Sequence, residues 1–125
     1  MDKYKILIVE DESMVFLTLQ LYLKNIGFQA ITNISSGEEA IEYLKNNTPD
    51  IIMMDILLSG QINGIEAAKV ILEEKKIPII FMSGYSVKEH HDEIKNLNPI
   101  DFLMKPITIN NLKKAIELAV NSLNK

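Results

Sequence analysis

Short apolar runs at residues 5–9, 29–32, 51–54, 77–82 and 100–104 alternate with stretches whose apolar residues recur every three or four positions. The runs read as strands and the stretches between them as helices, which predicts five β and five α elements in regular alternation. Strands joined by helices require parallel pairing through right-handed crossovers, and five such units commonly adopt the doubly wound order 2-1-3-4-5. In the first helix Met14, Leu17, Leu21 and Ile26 form one apolar stripe expected to face the core, and Gly27 has the position of a C-cap. Ser36 and Glu39 have capping-box spacing, and Asn63 is placed to cap the third helix. The fourth helix, about 87–97, is polar, with Ile94 and Leu97 near its end, and is expected to be the most mobile. The last, about 108–122, carries Ile109, Leu112, Ile116, Ala119 and Val120. No linker, repeat or low-complexity tract interrupts the pattern.

Three of the strand-like runs end in charged residues. The first leads into Glu10-Asp11, the third into Asp55 and the fifth into Lys105-Pro106. In a parallel sheet these ends share one edge, and the 2-1-3-4-5 order sets strands one and three side by side at the switch point. Glu10, Asp11 and Asp55 are therefore expected to meet. Three carboxylates so close raise one another's pKa unless a cation intervenes, and a hard divalent ion such as Mg²⁺ satisfies that need.

Composition narrows the possibilities. At 125 residues and 47% hydrophobic content the chain is expected to be one domain, residues 1–125, that buries its own core. The net charge is −4, acids and bases are interspersed, and every basic residue is Lys, so the planar Arg fork favoured for phosphate and guanine recognition is missing. Direct nucleic-acid binding is not expected. The chain has no cysteine, hence no disulfide or thiolate chemistry. Met1-Asp2-Lys3-Tyr4 leads into a strand rather than a signal sequence, and no apolar run approaches membrane-spanning length, so no membrane association and a cytoplasmic location are expected.

The acidic pair after the first strand, Asp55 after the third, Ser83-Gly84 after the fourth and Lys105-Pro106 after the fifth resemble the receiver domain of two-component response regulators. The likeness spans essentially the whole chain, in order and at matching separations. It implies a flavodoxin-like α/β fold and a signalling switch rather than an enzyme with a free substrate. It implies that Asp55 takes a phosphoryl group from a histidine kinase or histidine phosphotransfer protein. One Mg²⁺ would be held by Glu10, Asp11, Asp55 and the backbone carbonyl of Leu57. Lys105 would pair with Asp55 and later with the phosphoryl oxygens, Ser83 would donate its hydroxyl, and Phe102 would be the aromatic switch residue. The Lys105-Pro106 bond would be cis. The face built from the fourth helix, fifth strand and fifth helix would carry the output. Leu57, Gly84 and Tyr85 would govern access to the phosphoryl group, and because neither Leu57 nor Tyr85 is a water-activating group, slow self-dephosphorylation is expected.

The chemistry of those roles stands apart from the resemblance. An in-line carboxylate nucleophile needs fixed cations to neutralise the equatorial oxygens, which Lys105 and Mg²⁺ supply. The added charge of about −1.5 to −2 must then be answered by nearby donors. Taken singly, Asp55 reads as a helix cap and Ser83 as a turn hydroxyl; the ordered set points to the site. Glu12 is expected in the first helical turn, Met53, Met54, Met82 and Met104 as core filler, and His90-His91 as solvated residues on different faces.

Two departures from the resembled pattern stand out. The loop after Asp55 lacks the usual Pro and is one residue longer. Asp101 fits a known pattern of dimer pairing, but Ala115 and Asn111 do not, so a monomer or weak dimer is expected. A haloacid-dehalogenase-type phosphohydrolase would want a second Asp where Leu57 stands. A flavodoxin-type electron carrier would want a Ser/Thr/Gly phosphate loop where Glu10-Asp11-Glu12 stands.

Overall fold

A computed structural model describes residues 3–84 and 88–124, with the backbone alone at Lys88. The sheet consists of β1 (Lys5–Val9), β2 (Ala30–Ile34), β3 (Ile51–Asp55), β4 (Ile79–Ser83) and β5 (Asp101–Met104). All neighbours are parallel, in the order β2-β1-β3-β4-β5. The helices are α1 (Ser13–Ile26), α2 (Gly37–Leu44), α3 (Gly64–Glu74), α4 (His91–Asn96) and α5 (Ile109–Leu123), with a 3₁₀ turn at Lys88–His90. Among the described residues no helix is long and apolar enough to cross a membrane.

Side-chain alternation along the strands divides the core into two layers. Ile6, Ile8, Ile51, Met53, Ile80, Met82 and Leu103 point to the face covered by α1 and α5, where Leu19, Leu23, Leu112 and Ile116 meet them. Leu7, Val9, Ile52, Met54, Ile79 and Phe81 point to the other face and pack on Ala40, Leu44, Ile65, Ala68, Ile71 and Ile94. The three central strands are apolar at nearly every position because both their faces are covered. Met53, Met54 and Met82 are fully buried, but Met104, expected as core filler, is 48% exposed, because β5 is an edge strand.

Several boundaries follow the expected chemistry. Gly27 closes α1 at φ +122°, donating its N–H to Leu23 and Lys24. Asn63 and Glu66 form a reciprocal capping box on α3. Ser36 caps α2 through the Glu39 N–H, but the Glu39 carboxylate turns to the Ser35 and Ser36 hydroxyls instead of completing a box. Glu12 occupies the N-cap position of α1, one residue before the first turn, and makes no side-chain capping bond.

Further expectations are corrected. The stripe of α1 that faces the core is Leu19 and Leu23, supported by Val15, Phe16, Tyr22 and Ile26. Met14, Leu17 and Leu21 are 75%, 52% and 68% exposed. This helix is apolar nearly all round, so periodicity leaves its rotation open and packing against the sheet settles it. The fourth helix begins at His91, after a 3₁₀ turn, and Val87 lies outside the described residues. His90 is not simply solvated: its Nδ1 lies 3.2 Å from Glu93 Oε1, and Glu93 also pairs with Lys69 of α3 at 2.5 Å. At the expected dimer positions, Ala115 is wholly buried and cannot pair across a surface. Asp101 instead shares an open groove with Asn111 and Lys114.

Candidate functional site

Each strand of the central trio, and β5 beside it, delivers its terminal residue to the same edge. Glu10 directly follows β1, where its N–H donates to the Ile34 carbonyl at 2.9 Å. Asp55 is the last residue of β3, Ser83 the last of β4, and Lys105 follows β5 with its N–H on the Ser83 carbonyl at 2.8 Å. Glu10, Asp55 and Ser83 are the buried polar side chains among the described residues. Burial of two carboxylates requires compensation, and one ammonium supplies it to both. Lys105 Nζ donates to Glu10 Oε1 at 2.6 Å and to Asp55 Oδ2 at 3.0 Å. Glu10 Oε2 accepts the Glu12 N–H at 3.0 Å, and Asp55 Oδ1 accepts the Leu57 N–H at 3.1 Å.

Asp11 stands farther out, its Oδ2 accepting the Ser59 N–H at 3.0 Å. One oxygen each from Glu10, Asp11 and Asp55 can be chosen so that all lie within 4.8 Å of one another. Three hard oxygen donors against a single ammonium leave negative charge in excess, a donor set that fits Mg²⁺. Leu57 projects an exposed side chain beside the cluster. A Cβ on Gly84 would meet nothing within 4 Å, so that side of the crevice is open. Phe102 is half-buried against the layer beneath α2, α3 and α4, and the Lys105–Pro106 peptide is cis. Tyr85 lies outside the described residues.

Electrostatics separate the three acids. Burial is the largest influence on Glu10 and, with the Asp55 charge nearby, lifts its carboxyl from 4.5 to about 7 despite the Lys105 and Glu12 bonds. Burial also acts to raise Asp11, but the hydrogen bonds it accepts at Ser59 hold it below the usual carboxylate value. Burial works against the Lys105 ammonium, and its two carboxylate partners overcome that, holding it above the usual lysine value.

A pH dependence follows. Below about pH 4.5 Glu10 is protonated whether the chain is folded or not; between there and about pH 7 only the folded state keeps the proton. The stability contribution of Glu10 is therefore full below pH 4.5 and lost as pH rises through 7. Urea unfolding of the metal-free protein should show a decline on the order of 2–3 kcal/mol across that window, which Glu10→Gln removes. Parallel pH profiles for the two proteins would refute this account.

Sequence reasoning missed two polar anchors. Lys75 donates to the carbonyls of Leu44 and Asn47 and to the Thr48 hydroxyl, satisfying the end of α2. Glu38, in the first turn of α2, accepts the Ile62 N–H at 3.1 Å, reaching into the loop that follows Asp55. Locally Glu38 reads only as an acid near a helix N-terminus, and nothing in its spacing signals the distant partner.

The sheet is open and doubly wound, with three acids and a lysine gathered at its switch point, the place where such folds bind their ligands. Residues 6–117 match the model of the response regulator receiver domain, and the chain belongs to that family. It is therefore part of two-component signalling, and this family consists of switches rather than enzymes that turn over a free substrate. The chain is 30% identical over 117 residues to the transcriptional regulatory protein PdtaR of Mycobacterium tuberculosis, covering 94% of this chain and 57% of that protein. It is 33% identical over 107 residues to the alkaline phosphatase synthesis transcriptional regulatory protein PhoP of Bacillus subtilis, covering 83% and 43%. The chain thus spans about half the length of these relatives. Among solved structures, the signal receiver domain of a modulated diguanylate cyclase from Desulfovibrio desulfuricans superimposes with a TM-score of 0.87 at 31% identity, covering 98% of each chain. The receiver domain of a sensor histidine kinase from Pseudomonas aeruginosa, solved with a magnesium ion in its active site cleft, shares the fold at a TM-score of 0.81 and 20% identity, covering 94% of this chain and 98% of that one.

Proposed function

We propose that residues 1–125 act as one receiver unit that accepts a phosphoryl group on Asp55 from a histidine kinase or histidine phosphotransfer protein. The observation that supports this most is the pair of hydrogen bonds that Lys105 donates to Glu10 and Asp55 beside Asp11, which sets a carboxylate nucleophile and its neutralising ammonium on one sheet edge. In the transfer, an Asp55 carboxylate oxygen forms the new P–O bond as the P–N bond of the donor's phosphohistidine breaks, and the imidazole nitrogen keeps the electron pair and takes a proton. Lys105 neutralises charge on the phosphoryl oxygens, and Ser83, at the end of the adjacent strand, donates its hydroxyl to them. One Mg²⁺ would be held by Glu10, Asp11, Asp55 and the Leu57 carbonyl, where it supplies further neutralisation of the transferring group. Gly84 leaves the approach open. Mass spectrometry after incubation with acetyl phosphate and Mg²⁺ tests the reading: a single added phosphoryl group supports it, and an unchanged mass refutes it.

The switch would act through α4, β5 and α5. Ser83 and Lys105 answer the new charge directly, and their strands lead into these elements. α4 is six residues long with one buried anchor, Ile94, so a small pull at Ser83 shifts its position at modest cost. Phe102 has no hydroxyl to keep it in water and would turn inward as space opens. Amide exchange with beryllofluoride, a stand-in for the phosphoryl group, should change most across residues 83–104. A largest change in α1 or α2 would place the output elsewhere.

A protein donor must also reach the crevice. Beside it, Met14, Val15, Thr18 and Tyr22 of α1 form with Lys105, Pro106 and Ile107 an open, mainly apolar groove of about 450 Å³, with Met14 well exposed at it. We read this as the donor's seat. Met14→Asp should slow transfer from a phosphorylated histidine phosphotransfer protein by about tenfold or more while acetyl phosphate labels it at the wild-type rate. Equal slowing with both donors would mean that the substitution damages the site itself.

A further inference from the structure

The loop at residues 56–63 leaves the sheet at Asp55 and returns to the cap of α3. Besides the Asn63 N–H, which Glu66 accepts in the α3 capping box, three of its amides end on carboxylates from outside the loop and α3. Leu57 donates to Asp55, Ser59 to Asp11 and Ile62 to Glu38. Two of those acids belong to the crevice; Glu38 does not, reaching across from α2. Glu38 is exposed to solvent, but the loop backbone runs against its carboxylate. Gly60 wraps past it at φ +114°, a backbone conformation that L side chains rarely adopt, and a Cβ there would come within 2.7 Å of Glu38 Oε2. On the next turn of the loop, Ile62 lies over Gly37, where a Cβ would stand 3.0 Å from its Cγ1. The longer loop is thus shaped around one acid of the neighbouring helix.

We propose that Glu38 is a positioning residue that holds this loop in place when a divalent cation enters the crevice. The inference rests on reading Glu10, Asp11 and Asp55 as the cation site. A cation and the amides of Leu57 and Ser59 draw on the same two carboxylates, and an N–H pointing its positive end toward a bound cation is repelled. Cation binding therefore weakens two of those three amide–carboxylate tethers. The third, at Ile62, ends on an acid the cation does not use, so it keeps its strength and, with the Asn63 cap and the Gly64 N–H on the Ile56 carbonyl, holds the loop beside the crevice. Losing it lets the loop drift, and the ion then binds a site it must first reorder.

Calorimetric titration of Mg²⁺ into the wild type, Glu38→Ala, Glu38→Gln and Glu39→Ala provides the test. Glu38→Ala should weaken Mg²⁺ binding by about fivefold and speed amide exchange at Ile62. Glu38→Gln keeps an oxygen for the Ile62 N–H without the charge, so near-wild-type affinity in that variant separates positioning from general electrostatic attraction. Glu39, bonded to Ser35 and Ser36 in the same helical turn, reports on α2 stability; its removal should lower the melting temperature and leave the affinity unchanged. If Glu38→Ala titrates like the wild type, or Glu38→Gln is as weak as Glu38→Ala, the role is wrong while the cation site stands. If the wild type takes up no Mg²⁺, the reading of the crevice fails and this role fails with it.

Discussion

Asp55→Asn is expected to abolish phosphorylation, with acetyl phosphate labelling falling by at least about a thousandfold, because an amide oxygen cannot serve as the attacking carboxylate. The fold should survive. In the resting protein Lys105 is shared between Asp55 and Glu10, and Glu10 holds it at the shorter distance, 2.6 against 3.0 Å, so removing the Asp55 charge leaves no buried ammonium without an acid. Asn also keeps an oxygen for the Leu57 N–H. The measurement pairs mass spectrometry with thermal unfolding. Wild-type labelling of the variant would move the acceptor to another residue, and an unfolded variant would show that the Asp55 charge, not its oxygen, holds the crevice together.

The largest effect on stability should come from Gly64→Ala. Gly64 opens α3, and its N–H donates to the Ile56 carbonyl at 2.9 Å, drawing the helix start against the end of β3. A Cβ at this position would lie 2.0 Å from the Asp55 carbonyl oxygen and 2.9 Å from its carbonyl carbon. These obstacles are backbone atoms of a fully paired central strand, so no rotamer change relieves the clash. Either α3 shifts outward, uncovering Ile65 and Ala68, or the end of β3 moves and takes Asp55 with it. The cost should be about 3 kcal/mol or more, at the upper end for overpacking, lowering the melting temperature by roughly 10 °C. Phosphorylation of whatever folded protein remains should also slow, since Asp55, the proposed acceptor, sits on the displaced backbone. A melting temperature within about 2 °C of the wild type would contradict this packing.

The two substitutions differ in how visible their reasons are along the chain. Asp55 ends an apolar run, and its position could be read without any coordinates. The need for glycine at residue 64 could not: local sequence shows only a good N-terminal residue after Asn63, and the carbonyl that forbids a side chain arrives through the β3–α3 turn. His90 shows a similar gap. Its partner Glu93 is three residues away, but the Lys69 that joins them belongs to a different helix.

Local sequence determined the alternation of elements, the parallel sheet and the residues gathered at its edge. The reason is that strand ends in a parallel sheet all lie on one side, and crossover handedness leaves few strand orders, so Glu10, Asp11, Asp55, Ser83 and Lys105 converge once five strands are recognised. Tertiary structure alone decided matters that depend on which surfaces meet. A helix apolar on every side, such as α1, has no preferred rotation until the sheet buries Leu19 and Leu23 and leaves Met14, Leu17 and Leu21 in solvent. Ala115 became a core residue for the same reason. Glu10 is pushed up to about 7 by burial and by the Asp55 charge, which only the assembled sheet brings to it, and Glu38 finds Ile62 only because α2 and α3 pack side by side. Periodicity records how a segment divides apolar from polar; the partner of each face is set by contacts between residues far apart in the chain.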